Sequence, residues 1–326
     1  MKIKALALAL LLWPAATLSA GDKASWQASA QPVLSPGEFG SWDDFAVREA
    51  SILRTEKGFT MFYKAVAFSG QERTCGIGMA RSTDGVTWQK FNDNPIFTAG
   101  DGEDEEIASF TATKWNDQFW AAFAVTQDED EKPRVELARS DDGTVWQPAG
   151  LIEGLPFETP GSMSAQPCLY AEGQILHLWW IGRSNDKAFL CHSISRDAKT
   201  WMQPTMQPTT EIDSREMSAV RIYPSGQYYL LVYTARDEDK NRFSIVTKIS
   251  REARSWFSKG PPEFVVERPL RGLIPAMIFT AEGARLFYSQ GLEVKDTDAE
   301  KSGRKTPSRG CVLRTAFCPK STYVGY

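Results

Sequence analysis

Residues 80–88 read ARSTDGVTW, and residues 138–146 read ARSDDGTVW, which is nearly the same phrase. Two weaker copies follow, SRDAKTW at residues 195–201 and SREARSW at residues 250–256. All four fit the pattern Ser-x-Asp/Glu-Gly/Ala-x-x-Trp, and their tryptophans are separated by 58, 55 and 55 residues. A motif that returns at nearly constant spacing indicates a repeat architecture.

Each copy of this box has the composition of a tight turn. The Asp84-Gly85 and Asp142-Gly143 dipeptides supply a glycine for positive φ and a carboxylate that bonds nearby amides. The tryptophan that follows buries a large apolar ring. We therefore predict four structural turns without a catalytic role, each locked by a mostly buried ring. These rings are Trp88, Trp146, Trp201 and Trp256.

Each box closes a repeat with the same order of short strands. An apolar strand is followed by a glycine-containing turn, an aromatic strand and a third strand that runs into the box. In the first copy these segments read ASIL, TEKG, FTMFYKAV and GIGMARS, and a fifth start, IPAMIFTAEG, lacks a box. Short strands in units of about 50 residues are typical of propeller blades. The sequence therefore predicts an all-β fold, a five-bladed β-propeller, as one domain over residues 21–326.

Residues 1–20 have the composition of a secretory signal peptide. Lys2 and Lys4 precede the apolar run ALALALLLW, and the small-residue segment AATLSAG follows. This order is that of a cleavable signal, and we expect cleavage after Ala20. Because the apolar run is too short to span a bilayer, the mature protein is predicted to be periplasmic or secreted and not membrane-bound.

The composition argues against several functional classes. With 37 basic and 41 acidic residues, the net charge is −4, which offers no basic surface for a nucleic acid. The two histidines, His177 and His192, are too few for a His-rich zinc site, and neither a metal nor another cofactor is predicted. The 11 Trp, 9 Tyr and 18 Phe residues suit β-strands and sugar-stacking surfaces. Among five cysteines, Cys311 and Cys318 either form a disulfide or remain separate thiols.

The segment PVLSPGEFGSWDDFAVREASIL at residues 32–53, the ARSxDGxxW boxes and the five-fold count resemble the five-bladed propellers of glycoside hydrolases. Family 43 and its arabinanase, levansucrase and invertase kin are the most similar. The resemblance extends over essentially the whole mature chain. It implies a monomeric protein that acts on a carbohydrate, although propellers host many functions and the activity has to follow from the site.

In that family, three carboxylates on different blades converge where the innermost strands line a central funnel. One is a base on the first blade, one tunes a pKa on the third, and one is the acid on the fourth. The resemblance places Glu49 at the base position, where the family usually has Asp-Pro, and Glu216 at the acid position. Gln166 stands where an Asp is expected on the third blade. Because Gln carries no charge, it cannot raise the pKa of the acid as an anion does.

Glycoside hydrolysis needs one carboxylic acid to protonate the leaving oxygen and one carboxylate to activate water or attack directly. The resembled family inverts the anomeric configuration. A water must then fit between Glu216, the expected general acid, and Glu49, the expected base. Their carboxyl groups are therefore predicted to lie roughly 6.5–9.5 Å apart.

Several other residues are candidates for substrate binding. Glu105 shares a strand face with residue 107, which the repeat spacing places opposite Glu49, unless GEDEE is a solvated acidic loop. Arginines near the innermost strands either pair with the two glutamates, most readily Arg48 and Arg215, or contact substrate. The adjacent pair Trp179-Trp180 offers a sugar platform on one side at most. The candidates for substrate binding are Trp42, Asp44, Arg48, Glu105, Arg215, Arg221 and Arg271.

Three functions remain open from the sequence. The first is an extracytoplasmic, inverting glycoside hydrolase that acts on an oligo- or polysaccharide. The second is a non-catalytic carbohydrate-binding propeller, favoured by Gln166 and by Glu instead of Asp at position 49. The third, ranked last, is a sialidase, whose propeller also carries Ser-x-Asp-x-Gly-x-x-Trp boxes but needs six blades and an arginine triad.

Overall fold

The computed structural model describes residues 26–69, 72–98, 106–126, 134–155, 166–184, 187–240, 242–258, 260–266, 273–292 and 310–320. The predicted signal peptide lies outside these ranges, and so do the candidates Glu105 and Arg271. The elements of the described part are β-strands, apart from one turn of 3-10 helix at Thr209–Glu211. A search of the described residues finds no helix with the length and apolarity needed to cross a membrane.

Three antiparallel sheets of four strands follow one another along the chain, and each corresponds to one predicted repeat. The second sheet contains β7 (Glu106–Trp115), β8 (Gln118–Thr126), β9 (Arg134–Ser140) and β10 (Gln147–Leu151). The third contains β11 (Cys168–Glu172), β12 (Ile175–Ser184), β13 (Lys187–Ser195) and β14 (Thr205–Pro208). The fourth contains β15 (Glu216–Ser225), β16 (Tyr228–Asp237), β17 (Arg242–Ser250) and β18 (Phe264–Val266).

The remaining strands form one nine-stranded sheet that divides into two antiparallel groups. The first group contains β2 (Ala46–Thr55), β3 (Gly58–Ser69), β4 (Glu72–Ser82), β5 (Gln89–Lys90) and β6 (Phe97–Thr98). The last group contains β19 (Ala276–Phe279), β20 (Gly283–Gly291), β21 (Cys311–Pro319) and, from the other end of the chain, β1 (Gln27–Ala28). In the described strands a single parallel pair, Ala46 with Cys311, joins the two groups.

The last group is completed by the N-terminal segment of the described chain. Gln27 pairs with Phe317 in an antiparallel register. Further along, the Val33 N–H donates to the Leu313 carbonyl at 2.8 Å. The sheet therefore combines strands from opposite ends of the sequence, and this pairing closes the arrangement.

Buried apolar clusters fill the seams between neighbouring groups of strands. In the described residues they join the first group to the second, the second to the third, the third to the fourth, the fourth to the last, and the last back to the first. Phe62 meets Phe110 in the first of these seams, and the closing one contains Phe59 and Phe287. This cyclic packing is that of a β-propeller. The prediction of an all-β propeller is confirmed, while its count of five blades stays a prediction.

The boxes are turns in the structure. The Asp84 carboxylate accepts the N–H groups of Val86 and Thr87 at 2.7 and 2.8 Å. These backbone hydrogen bonds, first of all the one from Thr87, lower the pKa of Asp84 to about 2. Asp142 and Asp197 accept backbone N–H groups in the same way in the second and third copies. The carboxylates are therefore occupied by their own turns.

The box tryptophans are partly buried and pack against the preceding group of strands. The ring of Trp146 lies 5.6 Å from that of Phe62, and the ring of Trp88 lies 5.8 Å from that of Phe287. Trp256 contacts Trp179 edge to face at 6.4 Å. Each of these turns therefore also seals a seam between neighbouring sheets.

Alanine replaces glycine at one strained position of the later boxes. Gly85 and Gly143 have φ values of 71° and 81°, which glycine adopts without steric cost. Ala198 and Ala253 adopt φ values of 60° and 56° at the equivalent place. Because a Cβ clashes in this conformation, each alanine costs about 1–2 kcal/mol there.

Trp179 and Trp180 both lie in the core, on opposite faces of β12. They are 3% and 0% exposed, respectively. Trp179 packs towards the fourth sheet and Trp180 towards the second. The prediction of a sugar platform in this pair is therefore wrong, because both faces of the strand are covered by neighbouring sheets.

All five cysteines are free thiols in the structure. Cys311 and Cys318 lie on the same strand, β21, seven positions apart. A strand rises about 3.3 Å per residue, so their Cα atoms lie much further apart than the 7 Å limit for a disulfide. The disulfide alternative for this pair is therefore excluded.

Candidate functional site

The first strand of each repeat lies innermost, since β2 contacts β7, β7 contacts β11 and β11 contacts β15. In four repeats a two-residue hairpin turn follows this strand and provides a common reference. The last paired residues before these turns are Thr55, Trp115, Glu172 and Ser225. In the last group the Thr280 N–H donates to Gly283 across the equivalent turn. Six residues before these references stand Glu49, Ser109, Gln166, Ala219 and Ile274, which we call the ring positions.

Glu49 is the one carboxylate at the ring positions. It occupies a β-bulge of β2 with a left-handed φ of 55°, and its N–H donates to Ser289 Oγ at 3.2 Å. The side chain is 7% exposed, and Oε1 lies 3.6 Å from Arg48 Nε. Oε2 is buried and has no hydrogen-bond partner in the described residues. An unpaired buried acceptor is costly, so Oε2 is the Glu49 oxygen that would gain from a hydrogen-bond donor.

Arg48 pairs with Glu49, as the sequence indicated. Burial disfavours the charged guanidinium and is the largest effect, but the adjacent Glu49 carboxylate, together with Cys75, Cys311 and Glu106, outweighs it and raises the pKa of Arg48. Its Nε is buried and forms no hydrogen bond in the described residues, so the contact is an ion pair without a directed bond. Glu49 is thus held beside a cation that leaves one carboxylate oxygen unoccupied.

Lys64 connects the first group of strands to the second. It is 2% exposed, and its Nζ donates to Glu106 Oε1 at 3.2 Å and to the Ala108 carbonyl at 3.1 Å. Arg73 also pairs with Glu106, and the Cys75 thiol donates to Glu106 Oε1 at 3.3 Å. Burial opposes ionisation of Glu106, but Lys64 and then Arg73 outweigh it and hold its pKa below the usual range. Glu106 is therefore an ionised bridge between the first and second groups of strands.

The other ring positions are uncharged. Ser109 and Gln166 are buried, and Ala219 has a φ of 54°, nearly that of Glu49. The fourth repeat thus keeps the backbone of the Glu49 position without its carboxylate. A like charge nearby is one means of raising the pKa of a catalytic acid, and Gln166 supplies none.

Glu216 lies three residues before Ala219, at the first position of β15. Along a strand this offset is about 10 Å. The side chain is 38% exposed, and its oxygens lie 3.2 Å from Arg183 Nη2 and 3.6 Å from Arg236 Nη1. The family resemblance aligned Glu216 with the acid, whereas the hairpin register aligns Ala219 with Glu49. Joint action of Glu49 and Glu216 on one bond stays a prediction.

Arg215 does not pair with Glu216. Its guanidinium binds Asp213 at 2.9 Å and Glu263 at 2.9 Å, and Tyr233 donates its hydroxyl to Asp213 at 2.6 Å. The hydrogen bond to Asp213 raises the pKa of Arg215. The pairing predicted from sequence adjacency is therefore wrong for Arg215, because Asp213 and Glu263 lie closer to its guanidinium in the folded fourth sheet.

Arg221 lies two residues after the ring position of β15 and is 4% exposed. Nη1 donates to the carbonyls of Val220 and Pro167 at 3.0 and 3.3 Å, and Nη2 donates to that of Phe110 at 3.5 Å. These contacts join three inner strands through main-chain oxygens. Arg221 thus binds main-chain carbonyls in the described residues rather than a glutamate, and a contact with substrate stays a prediction.

Trp42 and Asp44 lie on the loop before β2, and their observed contacts hold this loop. The Trp42 ring lies 6.0 Å from the Tyr63 ring. Asp44 accepts the Gly40 N–H at 2.9 Å and the Phe68 N–H at 3.2 Å. A substrate contact for either residue stays a prediction, as it does for Glu105 and Arg271 outside the described ranges.

Sequence reasoning missed Lys64, Arg183 and Arg236. A single lysine inside the apolar strand FTMFYKAV is a signal for Lys64, because a buried amine requires a partner. Arg183 on β12 and Arg236 on β16 contact Glu216, and no local sequence pattern predicts these contacts. In the described part of the chain, no three His, Cys, Asp or Glu side chains form a group that could hold a metal ion.

Comparison with curated proteins gives distant relatives. No family model matches the chain. "Uncharacterized protein MT1551" of Mycobacterium tuberculosis (strain CDC 1551 / Oshkosh) is 25% identical over 187 residues, which cover 53% of this chain and 60% of the relative. "Uncharacterized protein Rv1502" of Mycobacterium tuberculosis (strain ATCC 25618 / H37Rv) matches with the same identity and coverage. The chain thus spans about 60% of the length of these relatives.

Solved structures match over nearly the whole chain. One described as "Glycoside hydrolase" has a TM-score of 0.62 at 12% identity and covers 90% of this chain and 92% of its own. The catalytic domain of Coprinopsis cinerea GH62 alpha-L-arabinofuranosidase has a TM-score of 0.58 at 12% identity, with coverages of 91% and 97%. CoXyl43, a GH43 beta-xylosidase/alpha-arabinofuranosidase from a compost microbial metagenome, in complex with xylotriose, has a TM-score of 0.58 at 13% identity, with coverages of 89% and 94%. The chain therefore adopts the propeller fold of these glycoside hydrolases.

Proposed function

We propose that the protein is an extracytoplasmic glycoside hydrolase that acts on an oligo- or polysaccharide in the central funnel. The observation that carries this proposal is the buried, unpartnered Oε2 of Glu49 at a ring position. A general base needs such an acceptor to hold a water for attack. The likeness in fold to glycoside hydrolases supports the proposal, and the signal-peptide pattern of residues 1–20 supports the location.

In this proposal Glu49 activates water and Glu216 protonates the leaving oxygen. Arg48 binds Oε1 of Glu49 and leaves Oε2 for the water. Glu216 is exposed enough to meet a substrate, and to do so it exchanges its contacts with Arg183 and Arg236. A water placed between the two carboxyl groups gives inversion, for which a separation of roughly 6.5–9.5 Å is required.

A second candidate function is carbohydrate binding without catalysis. It is favoured by the ring positions, where Ser109, Gln166 and Ala219 leave Glu49 without a second carboxylate at the same level. In this case Glu49 accepts a sugar hydroxyl rather than a water. Both candidates place the carbohydrate at Glu49 and differ in turnover.

The test is a screen of the purified mature chain against chromogenic glycosides and polysaccharides, with Glu49→Gln as the variant. Glu49→Gln is expected to reduce turnover by orders of magnitude and to leave folding intact. Glu56→Gln, an exposed acid at the other end of the β2–β3 hairpin, is the matched control and should keep full activity.

Two outcomes would contradict the hydrolase proposal. Full activity of Glu49→Gln would remove Glu49 from the reaction. If no glycoside is cleaved, but calorimetry shows a glycan that binds the wild type and not Glu49→Gln, the binding function is preferred.

A further inference from the structure

We propose that the Arg221 guanidinium is a built-in cation that ties three inner strands together and so positions the ring residues at the floor of the funnel. We call these bonds from one guanidinium to three strands the tie, and the tie is independent of the proposed function. The inference that the tie positions Gln166 and Ser109 for a ligand rests on that function.

The acceptors of Arg221 follow a pattern across the repeats. Each carbonyl belongs to the residue immediately after a ring position, in the second, third and fourth repeats. These pairs are Ser109 with Phe110, Gln166 with Pro167, and Ala219 with Val220. One planar group with five N–H donors thus reaches equivalent points on three strands.

The space for this side chain is made by small residues at the same level of the other repeats. Two positions after the ring positions, the other four repeats carry Ser51, Thr111, Cys168 and Ala276, all of them buried. Arg221 is the long side chain at this level. Four short side chains around one long one indicate that the arginine fills the centre, where its head group meets carbonyls from several strands.

The chemistry at this place also favours a cation over simple packing. Arginine remains charged in proteins, and burying a charge is costly unless polar groups surround it. The hydrogen bonds of Arg221 in the described residues go to main-chain carbonyls, and its buried Nε has no hydrogen-bond partner there. An apolar side chain of similar size would avoid this cost, but it would leave three carbonyls without their common donor.

The consequence concerns the residues that precede those carbonyls. Because the Phe110 and Pro167 carbonyls share one guanidinium, Ser109 and Gln166 are held at fixed heights relative to Ala219 on the fourth strand. Arg221 touches none of the groups proposed to react, so its role is that of a positioning residue. Removing it should leave a carbonyl-lined hole and allow the three strands to move independently.

The test is hydrogen–deuterium exchange of Arg221→Ala in the full mature chain. Amide exchange at Thr111–Ala112, Cys168–Leu169 and Ile222–Tyr223 is expected to rise roughly tenfold in all three strands, because the local opening free energy falls in each. Low-millimolar guanidinium chloride, far below denaturing concentrations, should restore protection in all three strands and raise the melting temperature. Tetramethylammonium chloride at equal ionic strength should restore neither, since it cannot donate to carbonyls.

Arg314→Ala is the matched control. The guanidinium of Arg314 also binds two main-chain carbonyls, those of Ser29 and Ala30 at 3.3 and 3.0 Å, but both belong to one segment. Exchange in this variant should rise only around that segment and β21. The contrast separates a tie across three strands from an ordinary arginine–carbonyl contact.

Three results would overturn the proposal. They are a rise in exchange confined to the fourth sheet, no recovery with guanidinium, and wild-type exchange in Arg221→Met, which keeps the length and loses the charge. If Arg221→Ala does not fold, Arg221→Lys replaces it and is expected to protect the three strands better than Arg221→Met. Because exchange is measured without a glycan, a wild type that cleaves and binds no glycan would count against the proposed function, while the expected rise in exchange in Arg221→Ala would leave the tie standing.

Discussion

Lowering the pH from 7 to 5 is expected to destabilise the protein, because both of its histidines lie uncharged on the third sheet. Nδ1 of His177 and Nε2 of His192 lie 3.0 Å apart, so one ring donates and the other accepts. His192 stacks on Trp179 at 3.9 Å, and His177 stacks on Tyr170 at 4.6 Å. Protonation would remove the acceptor and place two cations side by side.

The sign and size of the effect follow from the pKa values. Burial, helped by His177, lowers the pKa of His192 to about 3. Burial also lowers the pKa of His177, against the opposing effect of Glu172 at 3.8 Å. Histidine in the unfolded chain has a pKa of about 6.5. Below this pH the unfolded state therefore binds protons that the folded state, with its lowered pKa values, does not bind. For a histidine that stays neutral in the folded state, stability present above pH 6.5 is then lost by about 1.4 kcal/mol per pH unit, which gives about 2 kcal/mol at pH 5 for His192. The lowered pKa of His177 adds to the loss in the same direction.

The assay is urea denaturation at pH 8, 7, 6 and 5, with the double variant His177→Gln/His192→Gln as the reference. Carboxylates that titrate near pH 5 are common to both proteins, so their effect cancels in the difference. The free energy of unfolding of the wild type should fall more steeply below pH 6.5 than that of the variant. Parallel pH dependences of the two proteins would refute the reasoning.

Three further substitutions test the boxes. Ala253→Gly should raise the free energy of unfolding by roughly 0.5–1 kcal/mol, because relief of the left-handed alanine exceeds the added entropy of the unfolded chain; a lower urea midpoint would show that the turn is not strained. The reverse change, Gly85→Ala, should destabilise, since its Cβ would lie 2.5 Å from Ile278 Cδ1. Trp146→Ala should lower the free energy of unfolding by roughly 3–5 kcal/mol, because its ring packs on Phe62 across a seam; a loss below about 1 kcal/mol in the same assay would mean that the ring does not seal it.

The fold could be predicted because the same turn motif, with its tryptophan, recurs several times along the sequence. A box such as Asp84-Gly85 with Trp88 fixes a turn and a seam, and its recurrence fixes the length of the unit. The sequence spacing and the hairpin register also agree for Glu49 and Gln166, since both count from a turn that the sequence marks.

The rest of the site depends on contacts that no local pattern encodes. In β15 the hairpin register places Ala219 at the position of Glu49, three residues after the Glu216 that the family alignment chose. The contact of Lys64 with Glu106 joins two groups of strands and depends on how their edges meet. Such contacts follow from packing between sheets, which the repeat pattern does not specify.

The pairing of β1 with β21 determines the order in which the protein can be completed. Arg314 reaches back 285 residues to Ser29, so the segment that holds β1 must wait until nearly the whole chain has been synthesised. Until then the last group lacks a strand and presents an open edge, which invites pairing with other chains. Closing so long a loop is also slow. A chain released before β21 is made leaves β1 without its partner strand. Pairing of the N-terminal strand therefore depends on completion of the C-terminal strand.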